Sequence, residues 1–233
     1  MLSVVIPCYN EERTLADVVA RVGTADTAGL ALEILIVDDC STDASKSVAR
    51  DLAAADGRVR VLSHPVNQGK GAALRTGFAE ARGDLVIVQD ADMEYDPADF
   101  AKLLAPILEG RADVVYGSRF LERGATEAHF LIHGLANRFL TGLSNLLSGL
   151  KLTDMETCYK LAPRALLQRV TITENRFGIE PEITAKLARL RPRPRFAEVA
   201  VSYRHRSYAD GKKIGWKDGV SAIRCIFKFN LWG

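Results

Sequence analysis

The sequence predicts an α/β fold in which helices flank a mostly parallel β-sheet. In the first half of the chain, short apolar runs alternate with amphipathic helical segments, a pattern typical of parallel strands joined by right-handed crossovers. The chain has 233 residues, of which 48% are hydrophobic and 26% charged. This composition is typical of a folded globular protein. We predict a single domain over residues 1–233.

Five short runs predict the strands, and each is rich in aliphatic and β-branched residues. They are Leu2 to Ile6, Glu33 to Val37, Val59 to Leu62, Leu85 to Val88 and Val114 to Tyr116. The first helix is predicted to begin at Asn10, whose side chain suits an N-cap. Further helices are predicted over 43–55, over 69–81 and along the apolar face of 100–108. Ligands of such sheets bind at the carboxyl ends of the strands, so we expect the site there.

The pattern changes after Gly117. Residues 130–150 predict a helix with apolar residues around much of its circumference, which is more than a one-sided core helix needs. A helix over 181–190, an alternating strand through Val199, Val201 and Tyr203, and an amphipathic helix from about Gly215 follow. No apolar window reaches about 18 residues, so no transmembrane helix is predicted.

The formal net charge of +2 hides a gradient, because carboxylates crowd the first half and Arg and Lys dominate after residue 189. The basic end suits an anionic partner or is a solvated surface. Nucleic acid is disfavoured, because no aromatic stacking pattern accompanies the charges. The four cysteines form no CxxC pair and the N-terminus has no basic leader. We therefore expect reduced thiols, no signal peptide and a cytosolic protein.

Acidic residues follow two of the predicted strands. Asp38 and Asp39 close the second strand, and Asp90, Asp92 and Glu94 follow the fourth. Oxygen ligands of this kind suit Mg²⁺ or Mn²⁺ and leave coordination positions open for substrate phosphates. The alternative is that Asp92 and a neighbouring aspartate only cap the helix that begins near residue 97.

Several motifs carry a family resemblance, in order and in spacing. They are VVIPCYNEE (4–12), IVDDCSTD (36–43), NQGKGAALRTG (67–77), QDADMEYDP (89–97), GSRF (117–120), DMETCYK (154–160), RFGIEPEIT (176–184) and RSYADGKKIGWKDG (206–219). Together they resemble family 2 glycosyltransferases with the glycosyltransferase-A fold, a mostly parallel Rossmann-like sheet flanked by helices. They are similar to the polyprenyl-phosphate hexosyltransferase branch, which includes dolichol-phosphate mannose synthase.

The resemblance implies inverting transfer of mannose or glucose from GDP-mannose or UDP-glucose to a polyprenyl phosphate, with Mg²⁺ or Mn²⁺. It implies a nucleotide-sugar-binding half (1–120) and an acceptor-binding half (121–233). Amphipathic helices of the second half would rest on the cytoplasmic face of a membrane, making the protein peripheral there. A homo-oligomer is left open.

The resemblance also implies roles for individual residues. Asp90, Asp92 and Glu94 would form the metal site. Within it, Asp90 would contact the ribose or a metal-bound water. Donor-binding positions are Pro7, Tyr9, Glu11, Asp39, Lys70, Asp90, Ala91 and Asp92.

The acceptor phosphate would be held by Arg119, with His133 and Asn137 on the helix that follows. The family has arginine at the position of His133 and commonly serine at that of Asn137, so the chain departs from the pattern there. Arg206 and Lys213 would close over both phosphates. Asp92, Arg119, Arg206 and Lys213 are thus the predicted catalytic residues.

Two alternative functions stay open. A sugar-hydroxyl acceptor would need a general base, for which Glu180 or Glu182 is a candidate, although both residues also suit a helix start. A non-catalytic nucleotide-sugar or membrane-binding module is the second. An NTPase is disfavoured because the spacing around Lys70 does not match a Walker A loop, and Cys158 is not expected to be a nucleophile.

Overall fold

A seven-stranded sheet forms the centre of the structure. The computed structural model of the protein describes residues 1–121, 129–205 and 216–232, with only the backbone described at 129–133 and 216–218. The strand order is β3-β2-β1-β4-β6-β5-β7. The strands are β1 (Leu2–Cys8), β2 (Leu32–Asp38), β3 (Val59–Ser63), β4 (Leu85–Val88), β5 (Val114–Ser118), β6 (Lys160–Pro163) and β7 (Phe196–Ala200).

The predicted α/β fold with a mostly parallel sheet is confirmed. The pairs β1–β2, β1–β4, β2–β3 and β5–β7 are parallel, whereas β6 runs antiparallel to both of its neighbours. The sequence prediction missed β6, a strand of only four residues. The centre of the sheet is covered on both faces, because Val4, Val5 and Ile6 are consecutive and all fully buried.

Helices connect and cover the strands. They are α1 (Leu15–Thr24), α2 (Ser45–Ala55), α3 (Lys70–Glu80), α4 (Phe100–Leu108), α5 (His129–Ser148), α6 (Arg164–Leu167), α7 (Ile179–Arg189) and α8 (Trp216–Phe227). A π-helical turn over Lys228–Trp232 follows α8. No helix in the described ranges combines the length and apolarity needed to cross a bilayer.

The predicted N-cap at Asn10 is wrong. Helix α1 begins at Leu15 after Thr14, and Asn10 has a positive φ of 54°. The Asn10 side chain instead bonds Thr42 in the loop after β2, as donor from Nδ2 at 3.1 Å and as acceptor of the Thr42 N–H at 2.8 Å. An Asn in a left-handed turn costs less than most residues would. Asn10 therefore ties two strand-end loops together.

The strand order places the candidate site. Chain direction across the sheet reverses at β1, because β2 and β3 lie on one side of it and β4 on the other. Loops that leave the carboxyl ends of strands beside such a switch point diverge and open a crevice. The loops after β1 and β4 border that crevice, and both carry predicted site residues.

Candidate active site

The acidic segment after β4 is held in a tight turn. The backbone N–H of Gln89 donates to the carbonyl of Val5 at 3.0 Å, which continues the β1–β4 pairing to the start of the segment. Asp92 Oδ1 then accepts the N–H of Glu94 at 3.1 Å across Met93, whose φ is 64°. Non-glycine residues in this conformation store about 1–3 kcal/mol of strain and cluster at functional sites. The turn keeps the carboxylates in one short segment.

Electrostatics in this segment favour a cation. Burial, together with the carboxylates of Asp90 and Glu94, raises the pKa of Asp92 to about 7. Bringing a divalent ion to such a group relieves the repulsion between like charges, and the oxygen donors suit Mg²⁺ or Mn²⁺. The donor set thus fits the predicted metal.

The three predicted metal ligands are not assembled as a ready-made site. In the described part of the chain, no three carboxyl, imidazole or thiol groups are arranged to hold a metal ion. Asp90 is paired with Lys70, and Glu94 Oε2 accepts the hydroxyl proton of Tyr203 at 3.0 Å. Metal binding by all three would therefore require Asp90 and Glu94 to exchange or share these partners.

Lys70 links the acidic segment to helix α7. Its Nζ lies 2.8 Å from Asp90 Oδ1 and 3.2 Å from Glu180 Oε1, and Glu180 also forms a buried ion pair with Lys160. Burial alone would lower the pKa of Lys70, but the carboxylates of Asp90 and Glu180 hold it well above its usual value. Lys70 is thus a fixed positive charge beside the acidic segment.

The glycines that flank Lys70 make room for the chain itself. A Cβ at Gly69 would clash with the carbonyl of Asn175, and one at Gly71 would clash with the carbonyl of Glu174. Gly69 also has a φ of 98°, a conformation that favours glycine. The segment before α7 therefore packs closely against the backbone at both glycines.

Asp39 organises the neighbouring loop. Its carboxylate lies 2.7 Å from Nδ1 of His64 and accepts the backbone N–H groups of Gln68 at 2.9 Å and Gly69 at 2.6 Å. These contacts hold the turn that begins α3 and positions Lys70. The donor-binding role of Asp39 stays a prediction.

The loop after β1 contributes the other predicted donor-binding residues. Pro7 pairs with Val37 inside the sheet, and Tyr9 lies just beyond the end of β1. The backbone N–H of Glu11 donates to Ser45 Oγ at 2.8 Å. Ala91 joins this loop to the acidic segment, because its carbonyl accepts the hydroxyl proton of Thr14 at 2.6 Å.

Arg119 follows β5 and is held by Asp154. Its Nε and Nη2 donate to the two oxygens of Asp154 at 2.6 and 2.7 Å, and its guanidinium carbon lies 5.2 Å from the centre of the Tyr203 ring. Burial would lower the pKa of Arg119, yet Tyr95 and Asp154 hold it well above its usual value. Tyr203 therefore lies between Arg119 and Glu94, and joins the predicted acceptor side to the acidic segment.

The remaining acceptor residues are described unequally. Asn137 on α5 is buried, and neither polar atom of its amide has a hydrogen-bond partner among the described residues. Such orphaned groups are rare unless a ligand or water supplies the bonds. The side chain of His133 lies outside the described residues, as do Arg206 and Lys213.

Both candidate bases lie in the first turn of α7 and are engaged. Glu180 is paired with Lys160 and Lys70. Glu182 is fully buried and accepts from Thr173, the Glu174 N–H and Lys186. Burial would raise the pKa of Glu182, but these hydrogen bonds lower it below its ordinary value. Because both carboxylates already have partners, neither is positioned as a free general base.

Sequence reasoning missed two residues of this site. The alternating pattern predicts a strand through Tyr203, whereas this residue lies beyond β7 in an isolated bridge with Tyr95. Glu156 belongs to the DMETCYK motif without a predicted role of its own, yet its Oε1 is buried without a partner in the described structure. The available signal for Glu156 was its place in this motif, because the other residues of the motif are buried.

A protein-family model matches most of the chain. Residues 3–171, more than half of the chain, match the model described as glycosyl transferase family 2. The chain belongs to this family. The predicted family is therefore confirmed, and the acidic segment, Lys70 and Arg119 all fall within the matched part.

Two curated relatives of this family 2 chain carry polyprenyl-phosphate names. The undecaprenyl-phosphate 4-deoxy-4-formamido-L-arabinose transferase of Aeromonas hydrophila is 30% identical over 215 residues, covering 91% of this chain and 62% of the relative. The dolichol-phosphate mannosyltransferase of Pyrococcus furiosus is 36% identical over 126 residues, covering 54% and 35%. The chain thus spans less than two thirds of the length of either relative.

Solved structures confirm the predicted glycosyltransferase-A fold. The glucosyl-3-phosphoglycerate synthase of Mycobacterium tuberculosis, in complex with Mn²⁺, uridine diphosphate and phosphoglyceric acid, has a TM-score of 0.74. It is 22% identical, and the match covers 99% of this chain and 78% of that one. The phosphoglyceric acid complex of the same enzyme has a TM-score of 0.71 at 25% identity, with coverage of 98% and 79%.

Proposed function

We propose that this family 2 domain transfers a hexose, mannose or glucose, from a nucleotide diphosphate sugar to a polyprenyl phosphate. One observation carries the proposal: Tyr203 hydrogen-bonds Glu94 of the acidic segment and packs against the guanidinium of Arg119. A group suited to a donor diphosphate with its metal and a group suited to an acceptor phosphate therefore contact the same tyrosine, one at its hydroxyl and the other at its ring.

The donor side has the charges that a diphosphate requires. Asp92, with Asp90 and Glu94, would hold Mg²⁺ or Mn²⁺, which supplies Lewis-acid stabilisation of the departing diphosphate. Lys70 adds a positive charge beside them. The curated relatives and the solved complexes support this side by their names, which include sugar transferases and Mn²⁺ with uridine diphosphate.

The acceptor side suits a phosphate monoester. A guanidinium has five N–H donors, and Asp154 engages two of those on Arg119, so the phosphate binds through others. Asn137 offers an amide with unmet hydrogen-bonding capacity on α5. A phosphate is already anionic at neutral pH and needs orientation rather than a general base. The engagement of Glu180 and Glu182 in ion pairs accords with that requirement.

The reaction is a single displacement with inversion. An oxygen of the acceptor phosphate forms a bond to the anomeric carbon while the bond from that carbon to the donor diphosphate breaks. The leaving electron pair goes to the nucleoside diphosphate. Arg119 orients the attacking phosphate, and Lys70 lies where it can balance charge on the leaving side.

Helix α5 supplies a surface for a lipid acceptor. Leu135, Phe139 and Leu146 share one helical face and are 66%, 61% and 79% exposed. The terminal π-helical turn packs against α5 and exposes Trp232 by 78%. Apolar groups of this size suit a membrane interface. We place the protein peripherally on the cytoplasmic face of a membrane, where a polyprenyl phosphate is held.

A donor screen tests the proposed function. The protein is incubated with radiolabelled UDP-glucose or GDP-mannose, Mn²⁺ and a short polyprenyl phosphate, and label in the organic phase is measured. We expect metal-dependent transfer that Asp92→Asn abolishes and that the exposed control Asp51→Asn retains. Equal transfer to the unphosphorylated polyprenol, or undiminished transfer by Asp92→Asn, contradicts the proposal.

A further inference from the structure

Glu156 is a carboxylate of the candidate site that has no role in the proposed reaction. Its side chain is partly exposed, but Oε1 is fully buried and has no hydrogen-bond partner in the described structure. A buried, unpartnered carboxylate oxygen destabilises the fold. Such a group persists where a ligand supplies the missing bond.

The segment that carries Glu156 crosses the site from the acceptor side to the donor side. Two residues before it, Asp154 holds Arg119. Two residues after it, the Cys158 thiol lies 3.8 Å from the carbonyl of Val88, the last residue of β4 before the acidic segment. Glu156 therefore lies between the group assigned to the acceptor phosphate and the groups assigned to the donor diphosphate.

Charged residues of both signs lie near Glu156. Burial and the neighbouring carboxylate of Glu180 raise the pKa of Glu156 to about 7, while Lys160 and Arg119 oppose that shift and Asp154 adds to it. Lys160 is already paired with Glu180, and Arg119 with Asp154. Both nearby cations thus have other anionic partners, so within the described part of the chain Glu156 is open to a ligand.

The position selects the chemistry of that partner. In the proposed reaction the transferred sugar lies between the donor diphosphate and the acceptor phosphate, and a sugar presents hydroxyls at that point. A carboxylate accepts a hydrogen bond from a hydroxyl, whereas it repels either phosphate. We propose that Glu156 binds a hydroxyl of the transferred sugar and so helps to select it, an inference that rests on the proposed function.

Binding measurements test this role directly. Calorimetric titration in Mn²⁺ compares UDP with UDP-glucose and GDP with GDP-mannose, for the wild-type protein, Glu156→Gln and Glu156→Ala. Loss of a hydrogen bond to a charged group predicts that Glu156→Ala binds the sugar nucleotide about tenfold more weakly. Binding of the nucleoside diphosphate should stay within about twofold of wild type, since that ligand has no sugar to contact. Glu80→Gln, an exposed residue of α3, is the matched control.

Deoxy analogues of the preferred sugar nucleotide locate the contact. The analogue that lacks the bound hydroxyl should bind wild type and Glu156→Ala equally, while the others should still discriminate between them. The inference is overturned if both variants bind sugar nucleotide as tightly as the wild type. It is also overturned if Glu156→Gln binds normally but loses turnover, which is the behaviour of a general base. A wild-type protein that binds neither sugar nucleotide overturns the proposed function itself.

Discussion

Asp154 holds the guanidinium of Arg119 through two hydrogen bonds of 2.6 and 2.7 Å, and its Oδ2 also accepts the backbone N–H of Arg119 at 3.1 Å. Asp154 is fully buried and Arg119 largely so. The pair fixes the loop that leaves β5 and therefore the direction of the arginine. Arg119 is thus pre-oriented by the chain before any acceptor arrives.

Removing Asp154 should destabilise the protein and misplace Arg119. Breaking a buried pair at one partner typically costs about 3–5 kcal/mol, because the other charge stays buried. We expect Asp154→Ala to lower the free energy of unfolding by an amount in that range in urea titration. The matched control is Asp113→Ala, which removes a similar two-bond contact with Arg195 on the surface. That exposed pair should contribute less than about 1 kcal/mol, and equal losses in the two variants would contradict the assignment.

Asp92→Asn should separate metal binding from folding. The substitution removes one of several mutually repelling carboxylates, so the metal-free variant should be at least as stable as the wild type. Mn²⁺ with UDP or GDP should raise the melting temperature of the wild type by binding the native state, and should leave that of Asp92→Asn unchanged. Thermal denaturation with and without the ligands gives the comparison. An equal ligand-induced shift in both proteins would show that the metal binds elsewhere.

Lys70→Met should destabilise the protein strongly. It leaves the half-buried Asp90 and one oxygen of the buried Glu180 without their shared cation, for which we expect a loss near the lower end of the about 3–5 kcal/mol typical of a broken buried pair. Lys102→Met is a suitable control, because Lys102 is 54% exposed and pairs with Asp99 at 2.8 Å. Chemical denaturation should show a much smaller change for the control. Similar stabilities for Lys70→Met and the wild type would refute the buried network.

In the metal-free protein, the free energy of unfolding should depend on pH because Glu156 ionises. Its pKa lies above the ordinary 4.5, at about 7, because of burial and Glu180. The protonated form is therefore favoured by folding, and that stability is present below pH 4.5 and is lost as the pH rises toward 7. Glutamine stays neutral at every pH. Between pH 4.5 and 7, the free energy of unfolding of Glu156→Gln should therefore rise relative to that of the wild type by up to about 1.4 kcal/mol per pH unit.

Urea titrations at several pH values in EDTA measure this difference. It should level off above pH 7, and Glu80→Gln should show no such trend. A pH-independent difference between Glu156→Gln and the wild type would mean that Glu156 ionises normally.

The apolar stripe of α5 should govern membrane binding. Replacing Leu135, Phe139 and Leu146 together by Ser removes exposed apolar area, so the free energy of unfolding should change little. Each side chain contributes on the order of 1 kcal/mol when it leaves water, so vesicle binding should weaken by at least about tenfold in co-sedimentation. Leu108→Ser, at an exposed apolar position of α4, should bind as the wild type does. Unchanged sedimentation of the triple variant would remove α5 as the docking face.

The sequence determined much of the sheet and the location of the site. Strands such as Leu2–Cys8 consist mostly of apolar residues, because a parallel strand buried on both faces has little need of polar positions. The acidic residues after β4 were found for a related reason, since chain order alone places them just beyond a strand end. Both inferences depend on local pattern, which the sequence displays directly.

Only the tertiary structure decided how the charged residues pair. Glu180 and Glu182 look alike at a helix start, yet one joins Lys70 and Lys160 while the other holds the segment before α7. Asn10 has the chemistry of an N-cap, but it crosses to Thr42. The sequence could not distinguish these outcomes, because an ion pair or hydrogen bond depends on distances between segments far apart in the chain. Those distances are set by how the sheet brings its strand ends together.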